Sequence, residues 1–258
     1  MKSMPVVFIG HGSPMNAIQK NAFTEELKTL SSQIPKPRAI LCVSAHWETQ
    51  GTQVSSNPRP QTIHDFYGFP QALFQVQYPA PGSPELAQKI MSLAPEVKAN
   101  PEYGFDHGSW SVLVHMYPDA DIPVVQLSVS HSLSAQEHLE LGKKLAPLRD
   151  DNVLIMATGN IVHNLRKLEW NRPHGGTEWT EKFDREIEKA LTTRDTDTLV
   201  NYATKLAPEA QLAVPSEEHY LPLLYIYGAS NERDTLSFPY EGYEMGSLSM
   251  RSVMYTAQ

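Results

Sequence analysis

Three of the ten histidines in this 258-residue chain sit just beyond short apolar runs. The contexts are Phe8-Ile9-Gly10-His11-Gly12-Ser13-Pro14, Cys42-Val43-Ser44-Ala45-His46-Trp47 and Ala157-Thr158-Gly159-Asn160-Ile161-Val162-His163-Asn164. Neutral imidazole is the commonest metal ligand among side chains. Histidines delivered to one edge of a sheet could therefore converge on a single ion. The glycines near His11 and His163 permit tight turns and close backbone approach. Taken alone, each histidine is equally well one that hydrogen-bonds a loop carbonyl. Three in equivalent topological places shift the weight toward a metal site, without separating zinc from iron.

The other histidines divide unevenly. His107, in Gly104-Phe105-Asp106-His107-Gly108, precedes a helix start and has an acidic neighbour. His219, in Ser216-Glu217-Glu218-His219-Tyr220, falls in the first turn of a predicted helix, and His64 lies in a long loop. His131 follows a strand and fits the same strand-end rule, whereas His115, His138 and His174 read as structural. Gly10-His11-Gly12-Ser13 lacks the Lys-Ser/Thr ending of a phosphate loop. Ser13 and Ser44 lie near histidines but without a G-x-S-x-G elbow.

The elements that must position these side chains alternate. Apolar runs predict strands at Pro5–Ile9, Ala39–Val43, Pro123–Leu127 and Val153–Ala157. Helices are predicted over Asn21–Gln33, Ser83–Leu93, Gly108–Tyr117 and Ser134–Leu145, and again over Thr180–Thr192, Asp197–Leu206 and Ser216–Tyr227. Ser83 with Pro84, and Ser134 with Glu137, are start signals. Leu236–Pro239 and Ser247–Thr256 read as closing strands, and Glu48–Pro81 as a long loop of the kind that carries function. Alternating strands and helices imply an α/β fold. We expect a single domain over residues 1–258, with a mainly parallel central sheet and helices on both faces. The site would lie at the C-terminal ends of the strands.

Bulk composition narrows the partners. A net charge of −8 argues against nucleic acid as the main partner. The N-terminal apolar run is too short for a signal-peptide core or a membrane span. Cys42 is the only cysteine, which excludes an intrachain disulfide and a cysteine-built zinc site. The expected setting is the cytoplasm, with no membrane partner.

The motifs also carry a resemblance. Gly10-His11-Gly12-Ser13-Pro14-Met15, Ser44-Ala45-His46-Trp47, Thr62-Ile63-His64-Asp65-Phe66, Gly68-Phe69-Pro70, Tyr78-Pro79-Ala80-Pro81-Gly82, Gly104-Phe105-Asp106-His107-Gly108, Gly159-Asn160-Ile161-Val162-His163-Asn164-Leu165 and Glu218-His219-Tyr220-Leu221-Pro222-Leu223 run in order through the chain. With the closing Glu244-Met245-Gly246-Ser247-Leu248-Ser249-Met250, they resemble the DOPA 4,5-dioxygenase extradiol family. That family belongs to the class III, LigB-type ring-cleaving dioxygenases.

The resemblance implies one divalent ion per chain, held by His11, His46 and His219, with His163 as base or further ligand. It implies that His107 points toward substrate or dioxygen, and His64 and Asp106 are assigned to substrate binding. The wider superfamily uses two histidines and a carboxylate. Three neutral ligands leave the ion more positive, making Zn2+ the candidate for the ion as found and Fe2+ the candidate for turnover. The implied reaction opens a catechol such as L-DOPA with O2, giving a seco-DOPA semialdehyde. Two other readings use the same residues: a zinc hydrolase, in which bound zinc supplies hydroxide, and a binding protein that has lost catalysis.

Overall fold

The computed structural model describes residues 2–258. In chain order the strands are β1 (Val6–Gly10), β2 (Ala39–Thr49), β3 (Gln53–Ser55), β4 (Lys98–Asn100), β5 (Val124–Ser130), β6 (Val153–Gly159), β7 (Thr235–Ser237), β8 (Tyr243–Glu244), β9 (Leu248–Ser249) and β10 (Val253–Thr256). The helices are α1 (Ala22–Gln33), α2 (Gln71–Phe74), α3 (Pro84–Leu93), α4 (His107–Met116), α5 (Ala135–Leu145), α6 (Glu178–Thr192), α7 (Thr196–Val200), α8 (Tyr202–Lys205), α9 (Glu209–Ala213) and α10 (Leu221–Ala229).

The unbroken apolar runs occupy the middle of an eight-stranded sheet of order β4-β3-β5-β2-β6-β1-β10-β7. β5, β2, β6 and β1 are mutually parallel, and at one side β10 pairs antiparallel with β1 and β7 antiparallel with β10. Continuous hydrophobicity is what a parallel strand covered on both faces requires, and every residue of β1, β5 and β6 is buried. Phe8, Leu41, Val43, Leu127 and Ile155 face a layer from α3, α5, α6 and α10. Ile9, Ile40, Cys42, Val124 and Met156 face α1 and α4 on the opposite side. This is a single α/β domain with helices on both faces of its sheet, as the alternation predicts. Among the described residues no helix is long and apolar enough to cross a membrane.

Capping chemistry sets most helix starts. Asn21 and Thr24 form a capping box at α1, Ser134 and Glu137 another at α5, and the Ser83 side chain caps α3. The start predicted at Gly108–Ser109 lies earlier. Asp106 is the cap of α4, accepting from the Ser109 amide, so His107 is the first helical residue. The predicted helix over Asp197–Leu206 breaks at Asn201 into α7 and α8. The helix predicted from Ser216 begins only at Leu221, and all nine of its residues are buried. The closing strand predicted over Ser247–Thr256 is interrupted at Met250–Ser252, leaving β9 and β10. The long region from Glu48 to Pro81 contains β3 and α2, and is tied down by Ile63 N–H donating to Phe105 O (2.7 Å) and Tyr78 OH donating to Tyr117 O (3.0 Å).

One buried histidine outside the metal-ligand candidates gives an acid-stability prediction. His138 is fully buried on α5, its Nδ1 2.9 Å from the Tyr225 hydroxyl, and burial lowers its pKa to about 4. The unfolded chain takes up this proton below the ordinary value of 6.5, whereas the folded chain does not until about 4. Stability is therefore intact above that window and falls as pH drops through it, by up to about 3 kcal/mol for this group. Denaturant unfolding at about pH 7 and about pH 4.5 should show a loss that is roughly 2 kcal/mol smaller in His138→Gln. An equal loss in both proteins would remove His138 from the account.

Candidate metal centre

The parallel core ends level, and that alignment builds the site. Gly10 pairs with Gly159 and Ser44 with Thr158, so β1, β2 and β6 reach one edge together. His11 follows β1 directly, its amide donating to Gly159 O (3.1 Å). β2 does not stop at Val43 as predicted. It continues to Thr49, but its register against β5 shifts between Ser44 and Glu48, leaving Ala45, His46 and Trp47 unpaired in a bulge. Such a bulge re-aims a side chain at a sheet edge, and His46 is the residue re-aimed. His219 arrives from the turn before α10. Its carbonyl accepts the Asn160 amide (2.9 Å), and a Cβ on Gly159 would lie 2.2 Å from that oxygen. Only glycine lets the two backbones approach this closely.

The structure brings five sequence-predicted histidines together. His11 Nε2 lies 3.0 Å from His46 Nε2, and the His11 ring centroid is 5.5 Å from that of His219. His163 stacks on His219 at 3.5 Å with the planes 6° apart. His107 lies 3.8 Å from His46, centroid to centroid. Each of His11, His46 and His219 offers a donor atom within 4.8 Å of the other two. His131 is excluded from the cluster, since it pairs with Glu48 on an exposed surface (3.4 Å). Two surface cavities elsewhere, of about 220 and 310 Å³, contain none of the clustered side chains.

The donor set fits a cation. Glu218 Oε1 lies 2.9 Å from His219 Nδ1 and holds the proton there, so His219 Nε2 is left as a buried lone pair without a partner. A carboxylate behind a ligating histidine is a recurring support in metal sites. His11 Nε2 and His46 Nε2 face one another, and His11 Nδ1 also lacks a partner. Two imidazole nitrogens so placed can share only one proton, whereas a divalent ion satisfies both at once. Burial first, and neighbouring imidazoles second, lower the pKa of His11 and His219 well below the ordinary value. The same burial takes His46 to about 3 and His163 to about 4. All four are neutral at physiological pH, the form in which imidazole binds metal.

The two residues assigned to substrate binding are placed differently. Asp106 is fully buried, and its carboxylate accepts from Ser44 Oγ (2.7 Å), Gln126 Nε2 (2.7 Å), Tyr103 OH (3.2 Å) and the Ser109 amide (3.2 Å). Burial raises its pKa, and those hydrogen bonds oppose the rise. It caps α4 and so aims His107, with no oxygen left for a ligand. His64 Nε2 is 2.9 Å from Val76 O, and its ring packs on Phe66, Phe74 and Trp110. It supports the loop rather than entering the cluster.

Two neighbours of the cluster were not read from sequence. Asp65 meets His107 through both the backbone amide and ring Nδ1, each at 2.8 Å. Burial pulls the Asp65 carboxyl upward, but the hydrogen bonds and nearby rings leave it below its ordinary value. Phe66 brings its ring to 5.6 Å from His107 and forms an apolar wall. Their signal was an acidic and an aromatic residue beside His64 in a long loop, which composition alone does not single out.

Residues 5–251 match the family described as the catalytic LigB subunit of aromatic ring-opening dioxygenase. The chain belongs to the LigB family. It is 48% identical over 256 residues to an Escherichia coli K12 protein named 4,5-DOPA dioxygenase extradiol, covering 97% of this chain and 94% of that protein. Proteins of the same name from Beta vulgaris and Portulaca grandiflora are 39% and 38% identical, covering 97% of this chain and 96% and 95% of theirs. A crystal structure of an uncharacterized Escherichia coli K12 protein superposes with a TM-score of 0.85 at 45% identity, over 97% of this chain and 99% of that one. Membership in LigB makes the chain a dioxygenase-type oxidoreductase.

Proposed function

We propose that this LigB protein is an extradiol dioxygenase that opens a catechol such as L-DOPA by 4,5-cleavage to a seco-DOPA semialdehyde. The observation that carries the reading is the convergence of His11, His46 and His219 beside His163 and His107. Relatives named 4,5-DOPA dioxygenase extradiol support the substrate class. His11, His46 and His219 would hold one divalent ion, Fe2+ for turnover, with Zn2+ the ion expected in the protein as isolated. When bound, that ion supplies the redox chemistry that joins dioxygen to the catechol.

The chain's own residues do the rest. His163 is neutral and accepts a catechol hydroxyl proton as general base. His107 lies on the His46 side of the cluster, from where it meets substrate or dioxygen. Phe66, with Phe69 and Phe74 packed on it, offers an apolar face to an aromatic ring and keeps water from it.

Anaerobic loading with Fe2+, followed by L-DOPA and a panel of other catechols in oxygenated buffer, tests the reading. The expected result is oxygen uptake with a yellow product in the Fe2+ protein and none in the Zn2+ protein. Failure of every catechol to consume oxygen would sink it.

A further inference from the structure

The proton of His107 is placed by a residue from another part of the chain. The segment carrying Asp65 is pinned just upstream of it: Phe105 N–H donates to Gln61 O (2.8 Å), and Trp110 Nε1 donates to Ile63 O (2.8 Å). His64, just before Asp65, has Nε2 2.9 Å from Val76 O, and Phe66, just after it, packs on Trp110. The Asp65 carboxylate is thereby held against the start of α4. Its Oδ1 accepts the His107 backbone amide and its Oδ2 the ring Nδ1, both at 2.8 Å. His46 Nδ1 is 3.5 Å from the same Oδ2, too far for a good hydrogen bond.

An ionised carboxylate only accepts hydrogen bonds, so the imidazole nitrogen facing it must carry a hydrogen. In its neutral form the ring is then confined to the tautomer protonated at Nδ1, with a lone pair at Nε2. We propose that Asp65 is a positioning residue for ring opening: it keeps the His107 proton on Nδ1 and presents Nε2 to the substrate as a hydrogen-bond acceptor. This role rests on the ring-opening reading of the site. Asp65 touches no reacting atom and acts through His107.

Asp65→Asn separates this role from a merely structural one. The asparagine Oδ1 still accepts the His107 amide, so the loop stays anchored. Its NH2 group then faces ring Nδ1, donor against donor, and the favourable pairing moves the proton to Nε2. Removing the carboxylate behind a functional histidine in this way leaves geometry intact and misplaces the proton, at a cost of up to about 10⁴-fold elsewhere. We expect kcat on L-DOPA to fall about 100-fold, with KM within about threefold.

The same substitution in a His107→Gln background should cost less than about threefold, because residues acting as a unit are non-additive. Long-range proton–nitrogen correlation spectra of the full-length chain loaded with Zn2+ give a readout besides turnover. The wild type should show the His107 hydrogen on Nδ1, and Asp65→Asn should show it on Nε2. A wild-type ring protonated on Nε2 overturns the proposal, as does unchanged kcat in Asp65→Asn or an equal loss in the His107→Gln background. A wild type that turns over no catechol defeats the ring-opening reading instead, and the tautomer alone then decides whether Asp65 places the proton.

Discussion

His219→Ala is expected to empty the metal centre and to reduce ring opening at least about 1000-fold, while leaving the fold intact. Loss of a mere supporting partner already costs about 10- to 100-fold in metal affinity, and removal of a ligand costs more. The fold should survive because its contact there is made by backbone: the His219 carbonyl, not its ring, receives the Asn160 amide beside Gly159. The ring Nε2 bonds nothing, so its removal orphans no protein donor. Glu218 keeps a hydrogen bond from Ser216 Oγ (3.0 Å) after losing His219. Metal content by mass spectrometry should fall from about one ion per chain toward zero, with an unchanged far-ultraviolet circular dichroism spectrum. A variant that keeps its metal and its turnover would show that His219 is no ligand. His163, stacked 3.5 Å from it, would then be the first replacement to consider.

Strand positions were legible because central parallel strands must be apolar throughout, and that demand is written directly in Val6–Ile9, Ile40–Val43 and Val153–Ala157. Helix starts were legible where a side-chain oxygen does the capping, as at Asn21, Ser83 and Ser134. His11 followed from the strand-end rule. His46 followed from it for an incomplete reason, since the strand continues and a bulge turns the side chain.

The same rule pointed wrongly to His131, because a residue after a strand faces solvent as readily as it faces a neighbour. His219 entered the ligand set only through family resemblance. Nothing local marks a turn whose carbonyl will dock on a glycine sixty residues upstream. Asp65 and Asp106 show the remaining gap. Both are acidic residues beside a histidine in sequence, yet the working partner of His107 is Asp65, far along the chain, and adjacent Asp106 is consumed by capping. Tertiary pairing decides which carboxylate serves a histidine, and one-dimensional adjacency carries little of that information.

His163 is the residue whose two roles a single variant can separate. If it is the base, His163→Gln should lower kcat by about 100- to 10,000-fold, the range for loss of a positioned general base, with KM changed by no more than about threefold. Metal content should remain about one ion per chain. If it is a ligand, the metal should be lost along with turnover, as expected for His219→Ala. We expect the first outcome. His11, His46 and His219 form one candidate metal-holding set without it, and His163 belongs to a second such set with Glu218 and His219. Its backbone is fixed independently of its ring, by the amide donating to Ala213 O (2.9 Å) and by a bridge to Leu248, so glutamine can occupy the place without moving the loop. Its pKa, lowered by burial to about 4, keeps the ring neutral from mildly acidic pH upward. A base of that kind is competent only toward a hydroxyl already acidified by a neighbouring cation. The activity of His163 should therefore depend on the occupied metal centre, whereas occupancy of the centre should not depend on His163.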